Sequence, residues 1–156
     1  MSQTIVFTKT RPSLIDVAGL ILRLTLGTVF VAHGSQKLFG AFGGFGIEGT
    51  GGFFESLGAA PGTFWAVVVG LVEFGGGIAL ALGLLTRPAA ILIAVDMAVA
   101  ALIYNFANGF FVETPTGGWE INLVLFAMCA AMALAGGGAL SLDALVQRRA
   151  AWWRFL

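Results

Sequence analysis

Four apolar stretches, each long enough to cross a lipid bilayer, constrain the fold of this chain more than any other feature. They run from about residue 14 to 32, 64 to 85, 88 to 106 and 119 to 138. A membrane-spanning helix needs about 20 mostly apolar residues, so four such helices account for about half of the chain. The sequence therefore predicts an all-α fold, an integral membrane four-helix bundle whose irregular backbone is confined to the connections.

The composition supports a membrane protein and excludes several other classes. Of the 156 residues, 58% are hydrophobic and 10% are charged, whereas a soluble domain has roughly 25% charged residues. Eight basic and eight acidic residues cancel, so we expect the lipid bilayer, and not nucleic acid, as a partner. Cys129 is the one cysteine, and no Cys/His cluster has metal-ligand spacing. The sequence thus predicts no metal site, and no cofactor-binding signature is evident in it.

The basic residues divide the chain into segments and predict its orientation. We expect a cytoplasmic segment at 1–13, a transmembrane domain at 14–140 and a cytoplasmic amphipathic segment at 141–156. Basic residues concentrate in cytoplasmic loops, which places both termini in the cytoplasm of a prokaryotic cell (inner) membrane. The predicted cytoplasmic side carries six basic residues against Lys37 on the other side: Lys9, Arg11, Arg87, Arg148, Arg149 and Arg154.

A segment rich in glycine and phenylalanine, from 40 to 62, forms the outer loop between the first and second spans. Aromatic residues favour the membrane interface, so we expect this loop to be a re-entrant or interfacial piece packed at the outer surface. Gly44, Gly46 and Gly49 give the spacing G-x-G-x-x-G, but no strand precedes them and no βαβ unit surrounds them. We interpret these glycines as sites of tight turns and close helix contact.

Three ionisable residues fall inside the predicted spans: Arg23, Glu73 and Asp96. Each lies about 12 to 15 Å from the start of its helix, at about 1.5 Å per residue. A charge near the bilayer centre costs roughly 2.5 to 3.5 kcal/mol, so we expect an inward-facing cluster in which Arg23 bridges one or both carboxylates. Two interpretations remain open. The cluster is either a structural ion network that fixes helix register, or the lining of a pocket for a polar ligand or a proton path.

A second polar cluster is predicted at the outer ends of the first, third and fourth spans. Lys37 continues the face of Arg23 at three- and four-residue spacing. For His33, an interfacial hydrogen-bonding role is favoured over catalysis, because neither a nucleophile nor a metal set lies near it in the sequence. The members of this cluster are His33, Lys37, Tyr104, Asn105, Glu120 and Asn122.

Several short motifs follow one another in a fixed order along the chain. They are 33–40 (HGSQKLFG), 73–77 (EFGGG) leading to 83–87 (GLLTR), 108–111 (NGFF), 117–120 (GGWE) and 141–143 (SLD). In this order the motifs resemble the DoxX family of small four-span membrane proteins, over about residues 20–143. The resemblance implies a respiratory or redox role. Members of the family are associated with a terminal oxidase, with thiosulfate:quinone oxidoreduction, with protection against catechols and quinones, and with anchoring of a superoxide dismutase and a sulfurtransferase.

With this resemblance, the sequence predicts a membrane protein of redox metabolism, an oxidoreductase or a subunit of one. We expect it to hold a quinone, catechol or small sulfur compound between its helices. Arg23, Glu73 and Asp96 would orient polar groups or exchange protons, and His33, Lys37 and Glu120 would form the mouth of the pocket. Two alternatives remain: a noncatalytic anchor for soluble redox enzymes at the cytoplasmic face, and a small proton-coupled carrier.

Overall fold

The computed structural model describes residues 12–113 and 117–147, and every regular element in these ranges is helical. This confirms the predicted all-α class. The terminal segments 1–11 and 148–156 lie outside the described residues. Most of the basic residues that predict the orientation belong to these two segments. The α-helices are α1 (Leu14–Phe39), α2 (Gly46–Ser56), α3 (Gly62–Leu82), α4 (Thr86–Ala100), α5 (Glu120–Ala135) and α6 (Leu142–Gln147).

Three continuous helical stretches in the described ranges are long and apolar enough to cross a membrane. They are α1, α3 and the stretch Thr86–Asn108, in which α4 continues through a π turn at Ala101–Asn105 and a 3-10 turn at Phe106–Asn108. The fourth predicted span corresponds to α5, which is apolar but has only 16 residues. The four helices α1, α3, α4 and α5 form the bundle.

Helix α1 begins at a capping box and extends beyond the predicted end near residue 32. Ser13 and Asp16 exchange hydrogen bonds, with the Asp16 N–H donating to Ser13 Oγ and the Ser13 N–H donating to Asp16 Oδ2. The helix ends at Phe39, and the capping residue Gly40 that follows has a φ of 68°. The extra turns are held by tertiary packing, because Gly34 lies directly against the α3 backbone at Phe74.

Glycines allow α1 and α3 to approach each other closely along their length. A Cβ atom at Gly27 would lie 2.7 Å from the Gly77 carbonyl oxygen, and one at Gly34 would lie 2.7 Å from the Phe74 Cα atom. Small residues at such contacts are a common basis of helix packing in membranes. The contacts also fix the register of two antiparallel helices, in which the start of α1 lies beside the end of α3.

The segment between the first two spans, which was predicted as an outer interfacial piece, is itself partly helical. It comprises a 3-10 turn at Ala41–Gly43 and then α2, which packs mainly against α3. Its close contacts also involve glycine, because a Cβ atom at Gly51 would lie 2.9 Å from the Thr63 nitrogen. The segment therefore covers one end of the bundle.

Candidate functional site

The two ends of the bundle place the predicted site residues in different surroundings. We call the end where α1 begins the Leu14 end, and the end where α1 finishes the Phe39 end. A core of fully buried apolar side chains separates them. The largest members of this core are Leu26, Phe30, Leu80, Ile93 and Met132.

Arg23 lies at the Leu14 end, and the predicted bridge from Arg23 to Glu73 and Asp96 is not formed. Its fully buried guanidinium donates from Nη2 to the Leu140 carbonyl at 2.7 Å and from Nη1 to the Leu80 carbonyl at 3.5 Å. The register of α1 on α3 explains the difference. Gly34 is level with Phe74, next to Glu73, and Arg23 precedes Gly34 by eleven residues, or about 16 Å along the helix.

Asp143 is the acidic neighbour of Arg23, and it was not among the predicted site residues. Its buried carboxylate accepts the Leu85 N–H at 2.8 Å, the Thr86 N–H at 3.0 Å and the Thr86 hydroxyl at 2.7 Å. A carboxylate in this position stabilises the start of α4, where unpaired N–H groups and the helix dipole attract negative charge. Asp143 therefore fastens α6 to the start of α4.

Asp16 adds a third contact of the same kind, since its Oδ1 atom accepts the Ala139 N–H at 2.7 Å. We call Asp16, Arg23 and Asp143 the clasp. Each side chain of the clasp bonds to the backbone of a distant segment, and together they tie the chain after α5 to α1, α3 and α4. The arrangement supports a structural role for Arg23, the first of the two interpretations left open by the sequence.

The Phe39 end contains a cavity of about 730 Å³. Its walls are mainly aromatic and aliphatic, with Phe30, Phe53, Phe54 and Trp65 among the aromatic contributors. The cavity brings together two groups of residues that were predicted as separate clusters at different depths. Its polar lining consists of His33, Lys37, Glu73, Asp96, Tyr104, Asn105 and Asn122.

An ion pair joins α1 to α3 inside this cavity. Lys37 Nζ lies 2.6 Å from Glu73 Oε2; the Glu73 side chain is 4% exposed and that of Lys37 is 24% exposed. The close contact at Gly34, one turn earlier on α1, brings the two helices near enough for this bond. Glu73 therefore has Lys37 as its partner instead of the predicted Arg23, and His33 is a further charge neighbour.

Asp96 contributes the least satisfied polar atom of the cavity. Its Oδ2 atom is buried and has no hydrogen-bond partner among the described residues. Glu73 and Lys37 are its charge neighbours across the cavity. A buried acceptor without a partner costs roughly 1 to 3 kcal/mol, so a ligand that donates a hydrogen bond to this oxygen would recover that free energy.

The rim of the cavity is held by side-chain contacts on the π turn after α4. The Tyr104 ring packs edge-on against Phe53 of α2, with the ring centroids 4.9 Å apart. Asn105 Nδ2 donates to Asn122 Oδ1 at 2.6 Å, and Asn122 Nδ2 donates to Met97 Sδ at 3.9 Å. Such π turns occur frequently at functional sites.

Glu120 does not line the cavity, in contrast to its predicted place at the mouth. Its Oε2 atom accepts the Val112 N–H at 3.2 Å, and its own N–H donates to the Phe110 carbonyl at 2.9 Å. These bonds hold the connection before α5 against the start of that helix. Over residues 12–113 and 117–147, no group of three or more His, Cys, Asp and Glu side chains is arranged to hold a metal ion.

Similarity to known proteins agrees with this membrane architecture. The model of the DoxX family matches residues 18–106. The chain is 31% identical over 136 residues to "Inner membrane protein YqjF" of Escherichia coli K12, covering 86% of this chain and 95% of that relative. It is also 30% identical over 131 residues to "Putative oxidoreductase CatD" of Bacillus subtilis 168, and this match covers 84% of this chain and 88% of that relative. No solved structure matches the chain. The family match spans more than half of the chain, including most of α1 and all of α2 to α4, and the protein is therefore a membrane protein of the DoxX family.

Proposed function

We propose that this protein is a membrane redox protein that binds a quinone or catechol ring in the cavity at the Phe39 end. One observation carries the proposal: an aromatic-walled cavity of about 730 Å³ contains the Lys37–Glu73 ion pair and an Asp96 oxygen without a partner. Small-molecule sites commonly have volumes of about 300 to 1,000 Å³, with apolar walls and a few polar groups that fix orientation.

The residues of the cavity suit a ring with two oxygen substituents. The aromatic side chains Phe53 and Trp65 can pack against its faces and edges. The Lys37 ammonium has further N–H donors beyond the one directed at Glu73, and these can bond to a ring oxygen. The Asp96 carboxyl group can accept a hydroxyl proton in a hydrogen bond or, when protonated, donate to a carbonyl.

The proposed redox role rests on the DoxX family and on the name of the Bacillus subtilis relative. The proposed role of the chain's own residues is to bind the ring. In the proposal they orient the ring and exchange protons with its oxygens, in an oxidoreductase or a subunit of one. The predicted orientation, with both termini in the cytoplasm, would direct the cavity toward the outer face of the inner membrane. The inner-membrane name of the Escherichia coli relative supports this location.

A titration of quinone into the purified protein tests the proposal. The full chain in lipid nanodiscs is expected to shift the ultraviolet spectrum of an added short-chain quinone in a saturable manner. Glu73→Gln removes the partner of Lys37 within the cavity and should weaken binding by at least about tenfold, or about 1.4 kcal/mol.

The matched control for this titration is Glu120→Gln. It changes the same functional group outside the cavity, and it should leave binding within about twofold of wild type. Absence of a saturable shift in the wild type contradicts the proposal. Equal affinity in the wild type and in a folded Glu73→Gln variant contradicts it as well.

A noncatalytic anchor is the second candidate, and the clasp is the observation that favours it. Asp143 holds α6 against α4, so whatever follows residue 147 is attached to a fixed point at the Leu14 end. Truncation after Gln147 should then abolish copurification of soluble redox enzymes while quinone binding persists. Unchanged copurification would count against the anchor. The carrier alternative has no comparable support, since a packed core lies between the cavity and the clasp.

A further inference from the structure

The ionisable groups that face the cavity carry unequal charge. Lys37 and His33 come from α1, Glu73 from α3 and Asp96 from α4, while Tyr104 comes from the π turn that follows α4. Counting formal charges on lysine and carboxyl groups alone, one positive charge faces two carboxyl groups. The cavity therefore has a formal excess of one negative charge.

The one lysine of the cavity is already engaged by one of the two carboxyl groups. Lys37 Nζ lies 2.6 Å from Glu73 Oε2, whereas Asp96 Oδ2 has no hydrogen-bond partner among the described residues. Arg23, the one basic residue that is buried in the described ranges, is bonded to Leu140 at the opposite end. A ligand that enters the cavity thus meets an acidic group whose Oδ2 atom has no hydrogen-bond partner among the described residues.

We infer that Asp96 makes this cavity selective for neutral, hydroxyl-bearing rings over anionic ligands. The inference rests on the proposed function and specifies its ligand class. In a site screened from water, an anion beside the Asp96 carboxylate is repelled, or it must bring a proton with it. A neutral hydroxyl instead donates a hydrogen bond to the unpaired oxygen, and such bonds to charged acceptors are among the stronger ones.

This selectivity separates the ligand classes that the sequence left open. A catechol is neutral and offers two adjacent hydroxyl groups that can donate to the Asp96 oxygen, and its own oxygens can accept from the remaining N–H groups of Lys37. Small sulfur compounds such as thiosulfate are anions and would meet the unpaired carboxylate. Asp96 therefore directs the cavity toward catechols and related hydroxylated rings.

The test compares three rings that differ in one substituent: catechol, 3,4-dihydroxybenzamide and 3,4-dihydroxybenzoate. Binding to the full chain in phosphatidylcholine nanodiscs at pH 7.4, where the benzamide is mainly neutral and the benzoate is anionic, can be followed by tryptophan fluorescence, because Trp65 lines the cavity. Wild type should bind the neutral benzamide at least about tenfold more tightly than the benzoate, and in Asp96→Asn this ratio should fall to within about threefold. The benzamide matches the benzoate in size, so the ratio reports charge and not steric fit.

Asp16→Asn is the matched control, since it makes the same change at the Leu14 end and should leave the ratio as in wild type. An unchanged ratio in Asp96→Asn overturns the inference, as does a wild-type ratio near one. A wild-type ratio near one overturns the inference even if Asp96→Asn fails to fold. If wild type binds none of the three rings and no quinone, the proposed function itself fails. If quinone binds, and the benzamide and the benzoate bind equally well, only the role of Asp96 is lost.

Discussion

The Leu14 end and the Phe39 end of this bundle both bury ionisable side chains, but they use them differently. At the Leu14 end, Arg23 and Asp143 bond to backbone groups of segments far away in the sequence, and the packing around them is tight. At the Phe39 end, Lys37 and Glu73 bond to each other beside Asp96, and all three face a cavity of about 730 Å³.

The difference shows which observation separates a structural charge from a functional one in a membrane bundle. Burial does not, because Arg23 is fully buried and Glu73 nearly so. The available space does, because Arg23 Nε and Asp96 Oδ2 are both buried without a hydrogen-bond partner among the described residues, but Asp96 lines the cavity and Arg23 does not. Backbone partners and close packing indicate a structural role, whereas an acceptor without a partner beside an open volume indicates a binding role. The variants below test this distinction, from the largest expected effect to the smallest.

Asp143→Ala should cause the largest loss of stability. It removes a carboxylate that accepts three hydrogen bonds at the start of α4, and we expect a cost of about 2 to 4 kcal/mol in the free energy of unfolding. Denaturant unfolding in detergent micelles measures this change. Quinone affinity of the folded protein should stay as in wild type, because Asp143 lies outside the cavity. A stable variant that loses quinone binding would reverse the roles assigned to the two ends.

Gly34→Ala should destabilise the protein and weaken ligand binding together. The added Cβ atom would lie 2.7 Å from the Phe74 Cα atom, so α1 and α3 must separate, and the Lys37–Glu73 bond must lengthen. Such overpacking costs about 1 to 3 kcal/mol. Thermal unfolding and quinone titration of the same sample measure the two effects.

Gly19→Ala is the control on the same helix. Beyond its chain neighbours and the backbone of α1, no atom of the described residues lies within 4 Å of a Cβ atom at Gly19. Alanine favours helix over glycine by up to about 1 kcal/mol. We expect unchanged or slightly higher stability and unchanged binding. If Gly34→Ala and Gly19→Ala behave alike, the close approach of the helices does not position Lys37.

Of the three destabilising variants, Asn105→Ala should have the smallest effect. It breaks the 2.6 Å hydrogen bond to Asn122 at the cavity rim and leaves one amide oxygen to find another partner, at a cost of about 1 kcal/mol. Ring affinity should fall only a few-fold, since the charged groups stay in place. Hydrogen exchange of the π turn would show whether the loss is local. If Asn105→Ala weakens binding as much as Glu73→Gln does, the main contacts to the ring lie at the rim and not at the ion pair.

The bundle itself could be predicted from the sequence, because long apolar stretches leave a membrane chain few alternatives. The depth of Arg23 along α1 could also be counted from the helix start. The hydrogen-bond partners of Arg23 could not be predicted, because they depend on how α1 is shifted against α3. Glycine contacts such as Gly34 against Phe74 set that register. The predicted charge cluster therefore joined residues that lie at opposite ends.

Lys37 and Asp143 illustrate what local patterns leave out. Hydropathy falls after residue 32, which led to a predicted span that ended before Lys37, but packing on α3 continues the helix to Phe39. The motif at 141–143 is typical of a helix start, and Ser141 does accept the Ala144 N–H. Asp143, however, bonds to Leu85, 58 positions earlier, and no local pattern encodes that contact.

The location of a bound ring tests the central claim most directly. A photoreactive azidoquinone, irradiated with the full chain in nanodiscs and mapped by mass spectrometry, should label the cavity wall at Phe53, Trp65 or Tyr104. Excess unlabelled quinone should suppress this labelling. Labelling centred on residues 139–143 at the clasp, or labelling that an excess of quinone does not suppress, would contradict a ring-binding site at the Phe39 end.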